Sequence, residues 1–207
     1  MSFSAVKEFE QQLAEWWGAP YAVATDCCTH AIELCLRYKR ATSIHTVPKH
    51  TYVSIPMTLE KVDLPWDWVD GEWYDFYEIG TSGIIDSAVY WKKGGYIDLS
   101  LQCLSFQFKK PLNLGRGGAI LCSTLDEYNR LKSMAYDGRD QNTDVYWGDQ
   151  QISTMGYHYY MTPETAVMGM ERLPSSAKRA TKQWSWQDYP DCSQMPVFKK
   201  KGMMYYV

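Results

Sequence analysis

One run limits what this chain can fold into: Ser105-Phe106-Gln107-Phe108-Lys109-Lys110-Pro111-Leu112-Asn113-Leu114-Gly115-Arg116-Gly117-Gly118. An apolar stretch ends at Ser105, and a second runs from Ala119 to Cys122 beyond the glycine turn. Short apolar runs bounded by Gly and Pro read as buried strands, so the lysines between them sit on a loop that joins two such strands. A lysine held there can lose its charge by desolvation, and a neutral amine is a nucleophile for carbonyls. Lys110 taken alone also fits a solvated loop residue, and Lys109 competes for the role of the amine.

Three further segments carry chemistry. The strand-like Tyr21 to Ala24 leads into Thr25-Asp26-Cys27-Cys28-Thr29-His30-Ala31-Ile32. From there Ala31, Leu34, Cys35 and Tyr38 recur at helical spacing, with Thr29 where an N-cap belongs. A capped helix after a strand accounts for this segment, and a helix N-terminus with free amides is also a phosphate site. Asp86 follows the apolar Ile84-Ile85, which places a carboxylate at the carboxyl end of a buried strand, where open α/β sheets bind ligands. An ordinary turn-capping aspartate would look the same. A strand from Ser43 to Val47 precedes Pro48-Lys49-His50-Thr51-Tyr52, with a helix expected from about Thr51. Tyr52 at its start can stack on a flat heteroaromatic ring.

Together and in this order, the segments resemble the DegT-type sugar aminotransferases, which are pyridoxal phosphate (PLP) enzymes of fold type I. The lysine motif with its Ser, Phe and Gly-x-Gly-Gly turn, the Thr-x-Ala of the first helix, the Pro-x-x-Thr-aromatic and the Asp-x-Ala all match. Gly156-Tyr157-His158-Tyr159-Tyr160-Met161 resembles a fifth motif, Gly-Tyr-Asn-x-Arg-Met. The resemblance implies a three-layer α/β/α large domain like that of aspartate aminotransferase, compressed, with the C-terminal small domain largely missing. It implies that Lys110 holds PLP as a Schiff base and that Asp86 pairs with the pyridine nitrogen, keeping the ring an electron sink. Tyr52 stacks on that ring, and Thr29, His30 and Ser105 complete the cofactor site near the phosphate. His158 takes the place of an asparagine that reaches the phosphate of the neighbouring subunit, so a homodimer is implied.

The implied reaction moves an amino group from an amino acid, L-glutamate in particular, to a keto group on a nucleotide-linked sugar. The retained lysine separates the chain from the sugar-dehydratase branch, where histidine replaces it. The alternative is a non-catalytic PLP-binding, scaffold or regulatory descendant. Departures from the pattern are Cys28 for a glycine, Tyr160 for the arginine, and Val89 for a His or Gln that holds the ring hydroxyl; Tyr90 is the candidate substitute. The resemblance spans about Phe9 to Leu173, and 174–207 is a divergent tail without periodicity. Between Val62 and Asp86 there is too little chain for the usual strands and helices, and an aromatic, acidic segment from Leu64 to Tyr77 replaces them. With the small domain missing, the site is expected to be open to water.

A chain of 207 residues, 45% hydrophobic, can bury one sizeable core and reads as a single domain. A net charge of -3 argues against a nucleic-acid footprint, and Lys199-Lys200-Lys201 reads as a solvated tail. The six cysteines form no Cys-x-x-Cys pair and read as reduced, mostly buried thiols, with no metal site. Met1 to Glu10 is too polar for a signal peptide and no apolar run is long enough to span a membrane, so a cytoplasmic protein is expected. Helices are expected over Ser4–Trp17 with Gly18 as the stop, near Thr124–Met134, and over Pro163–Leu173, with a mobile loop from Asp137 to Thr154.

Overall fold

The computed structural model describes residues 3–39, 45–141, 143–178 and 182–199. Of the residues named above, Met1, Ser43, Lys200 and Lys201 lie outside that set. Helix α1 (Ser4–Trp17) buries Val6, Phe9, Leu13 and Trp16 on one stripe and stops at Gly18, whose φ of 73° needs no Cβ to clear. Strand β1 (Tyr21–Thr25) follows, then α2 (Cys28–Lys39), β2 (His45–Pro48), α3 (Ser54–Lys61), β3 (Trp66–Val69), β4 (Tyr77–Glu78) and β5 (Ile84–Asp86). The chain continues through β6 (Leu101–Ser105), β7 (Gly118–Cys122), α4 (Leu125–Ala135), α5 (Pro163–Ser176) and α6 (Pro196–Lys199).

Five strands make one mixed sheet in the order β1-β7-β6-β5-β4, and β2 pairs in parallel with β3 beside it. Period-two alternation splits the apolar side chains between two faces. Val23, Cys103, Ile120 and Cys122 pack with α2, α3 and α4. Ala22, Leu104, Ala119 and Leu121 pack with α1 and α5. The result is the three-layer α/β/α arrangement. A buried polar cluster ties the layers across the β1 edge: Glu10 of α1 accepts from the Ala24 N–H at 2.9 Å, from the Tyr128 hydroxyl at 3.1 Å, and from Lys132 of α4.

Side-chain capping starts two of the helices. Thr124 caps α4 in a reciprocal box with Glu127, and Thr162 caps α5 ahead of Pro163. Three boundaries differ from expectation. α2 begins at Cys28, so Thr29 lies in its first turn and the Cys27 carbonyl accepts from the Ala31 N–H instead. α3 begins at Ser54 because the Thr51 side chain is drawn away into a hydrogen bond with Tyr77. α5 runs past Leu173 through Pro174 to Ser176. The tail also has more structure than its composition suggests, with single turns at Trp186–Asp188 and Cys192–Gln194 before α6. Among the described residues no helix is long and apolar enough to cross a membrane.

Candidate active site

Asp86 ends β5 and Ser105 ends β6, and the two parallel strands deliver them to the same edge of the sheet. A cavity of about 450 Å³ opens there, lined by residues from both strands, the starts of α2 and α3, and the loop between β6 and β7. That loop is a hairpin closed by Phe106 N–H to Gly117 O at 2.9 Å and Phe108 N–H to Gly115 O at 3.1 Å, with Lys110 in the turn at its tip. Gly118 is required by close approach: a Cβ there would come within 2.4 Å of the backbone of Cys27 and Cys28. The start of α2 therefore lies directly over β7, which brings Thr29 to the cavity wall.

Electrostatics distinguishes the two lysines. Lys109 is exposed, with its Nζ over the Phe108 ring, whereas Lys110 is half-buried with its Nζ 5.9 Å from the Trp184 ring centroid. Burial pulls the Lys110 amine below the ordinary lysine range, against the opposing charges of Cys28 and Asp86. Asp86 is buried; Oδ1 accepts from the Ala88 N–H at 3.0 Å and Oδ2 from the Tyr77 hydroxyl at 2.9 Å. Burial pushes its carboxyl up, while the Ala88 N–H, the Tyr77 hydroxyl and the Lys110 charge pull it back.

Of the residues named from the sequence, Thr29, Tyr52, Asp86, Ser105 and Lys110 line this one cavity. Tyr52 is 60% exposed, at the mouth. His30 and His158 do not line it. The His30 Nδ1 is bound to Asp26 at 2.7 Å and its ring stacks on Tyr159. His158 is exposed and pairs with Asp137 at 3.0 Å. Tyr90 does not replace the missing polar group beside Val89, because it packs against Trp17 and Phe76 outside the cavity lining. Asp26, Cys27 and His30 also bring donor atoms within 4.8 Å of one another, but Arg116 holds the Asp26 carboxylate at 2.8 Å.

The remaining wall was not foreseen. Ser54 begins α3 and its Oγ meets Thr29 Oγ1 at 3.0 Å, so two helix N-termini with hydroxyls face the same space. Trp73 and Tyr77 come from the aromatic segment before β5, and Trp184 and Tyr189 come from the tail. Backbone bonds join these two pieces, Asp75 N–H to Trp184 O at 2.8 Å and Trp186 N–H to Trp73 O at 3.1 Å. Aromatic side chains from within the chain thus form part of the wall of the site expected to be open.

Solved structures share this architecture. AtS13 from Actinomadura melliaura superposes with a TM-score of 0.75 at 19% identity, over 86% of this chain and 61% of that one. The sugar aminotransferase CalS13 from Micromonospora echinospora gives 0.67 at 15% identity, over 84% and 61%. DesI, solved in the presence of its TDP-sugar product, gives 0.64 at 18% identity, over 84% and 54%. This chain therefore spans about 60% of the length of AtS13 and CalS13. A search of curated proteins found no match. The fold is that of fold type I PLP-dependent aminotransferases. A sequence model of the DegT/DnrJ/EryC1/StrS aminotransferase family matches residues 1–64 and 85–191, and the chain belongs to that family.

Proposed function

We propose that this chain is a PLP-dependent aminotransferase acting on a keto sugar. The observation that carries the reading is the meeting of a desolvated Lys110 and a buried, doubly hydrogen-bonded Asp86 in one cavity. The residues present fit PLP. A buried carboxylate suits a protonated pyridine nitrogen, and the hydroxyls of Thr29 and Ser54 at two helix N-termini, with Ser105, suit a phosphate. Tyr52 supplies an aromatic face at the mouth. When bound, PLP supplies an electron sink for the substrate carbon.

The protein's part follows from the same geometry. Lys110 offers a nucleophilic amine, and burial lowers its proton affinity, which favours the neutral form that can accept and return a proton. Asp86 keeps a positive charge on whatever ring nitrogen lies against it. Trp73, Trp184 and Tyr189 limit water at the amine. L-Glutamate as donor and a nucleotide-linked sugar as acceptor belong to this reading, the latter supported by the TDP-sugar product of DesI.

A homodimer belongs to it as well. Tyr146, Trp147 and Met155 are exposed at 63%, 54% and 78%, close in sequence to His158, and contact with a second copy would cover them. Sedimentation as a monomer at working concentration would count against that part. Residues 1–207 acting as one unit in a cytoplasmic setting complete the reading, in keeping with six free thiols.

The test is the visible spectrum after adding PLP, dialysing, and then adding L-glutamate. A retained yellow band that shifts with glutamate supports the proposal. A colourless protein overturns it, and a band that ignores every amino donor leaves the non-catalytic descendant as the reading.

A further inference from the structure

We infer that Tyr77, in a stretch outside the family match, is a positioning residue that fixes and charges Asp86. The inference rests on the proposed function only for what Asp86 finally binds. Tyr77 stands directly opposite Asp86 in the β4–β5 ladder, and its hydroxyl donates to Asp86 Oδ2 at 2.9 Å. A phenol has one proton to give, and Tyr77 gives it to Asp86, so the Thr51 hydroxyl is the donor in its contact with Tyr77. Thr51, Tyr77 and Asp86 therefore form one directed chain of buried hydrogen bonds.

The chain has consequences for the carboxylate. Its other oxygen is taken by the Ala88 N–H, so both oxygens are anchored and the group has one orientation toward the cavity. Burial this deep favours the protonated acid, these donors oppose it, and a protonated acid cannot hold a positive ring. Burial, and then the Asp86 charge, push the Tyr77 hydroxyl far above its ordinary range, so it stays a donor at every working pH. Lys110, Cys28, Cys103 and Tyr189 are the other titratable groups whose charges couple to Asp86, and only Lys110 can be cationic.

Two observations make this assignment specific. The side-chain partner of Asp86 is Tyr77, the other bond coming from the Ala88 backbone. Residues 65–84, which contain Tyr77, are an internal stretch that the family model does not match. The donor to the central carboxylate thus comes from a stretch outside the family match.

The test uses the full chain with Tyr77→Phe, which keeps the ring and removes the hydroxyl. Carboxyl 13C NMR of the ligand-free protein follows the Asp86 titration, assigned by its loss in Asp86→Asn. The expected result is a higher Asp86 midpoint in Y77F and about tenfold weaker PLP binding in a spectroscopic titration, the usual worth of one hydrogen bond to a charged group. An unchanged midpoint overturns the inference, as does a moved midpoint with unchanged PLP affinity. Should Y77F fail to fold, Thr51→Val takes its place, with a smaller shift in the same direction expected and no shift overturning it. Wild-type protein that holds no PLP overturns the proposed function, while the ligand-free midpoint still decides whether Tyr77 charges Asp86.

Discussion

Asp75 and Trp184 hold each other reciprocally: the Trp184 N–H donates to Asp75 Oδ1 at 2.9 Å, and the Asp75 N–H donates to the Trp184 carbonyl at 2.8 Å. Asp75 does this at φ 62°, a left-handed conformation that aspartate tolerates better than most residues. The pair sets the Trp184 indole over Lys110 on one side, with Lys182 4.2 Å from its centroid on another.

Trp184→Ala is expected to let water reach Lys110. Burial is the main reason the amine lies below the ordinary lysine range, so wetting it raises its proton affinity. The rate at which PLP reacts with the protein should fall on the low-pH side of the profile and recover as pH rises. Stopped-flow absorbance across pH checks this, and an identical profile for variant and wild type would contradict it.

Lys110 and Lys109 are neighbours with different surroundings, so only Lys110 is expected to bond PLP. Borohydride reduction followed by peptide mapping should recover the label on Lys110. Lys110→Ala should lose roughly a thousandfold in amino-group transfer, within the span of a lost acid–base group. Lys109→Ala should change it little. Label on Lys109 would reverse the assignment.

Gly118→Ala tests the support beneath the start of α2. The added Cβ would meet the Cys27–Cys28 backbone at 2.4 Å, and backbone cannot swing aside as a side chain does. A destabilisation of about 1–3 kcal/mol is expected from overpacking of this kind. PLP affinity should fall with it, because Thr29 moves with the helix start. Denaturant melts and a PLP titration read the two effects separately.

Much of this site could be read in the sequence because its signals are local. Lys110 is flagged by two apolar runs and a glycine turn, Asp86 by a strand end, and the stripe of α1 by its spacing. Trp73, Tyr77, Trp184 and Tyr189 carry no such signal. They lie in stretches where aromatics are common and no period recurs, and only the meeting of distant segments aims them at the cavity. His30 shows the same limit: its place in a motif says nothing of the Asp26 carboxylate bound to its Nδ1.

That ion pair gives a pH signature. Burial alone would lower His30, but hydrogen bonds with Asp26 and Cys27 and their charges outweigh it and lift the imidazole to about 9 from 6.5. A raised folded-state value means the stabilisation is fully present below the unfolded value and disappears as pH climbs through about 9. His30→Gln should therefore destabilise the protein clearly at pH 6 and much less above pH 9.5. Paired denaturant melts at the two pH values check it; an equal deficit at both would count against the pair.

Asp75 and Trp184 are 109 residues apart in sequence, and their meeting has a kinetic consequence. Bringing such distant segments together costs chain entropy that nearby contacts do not, so this latch closes late in folding. A refolding molecule should regain its helical signal first and its ability to shelter Lys110 afterwards, passing through a stage in which the layers are built but the amine is still wet.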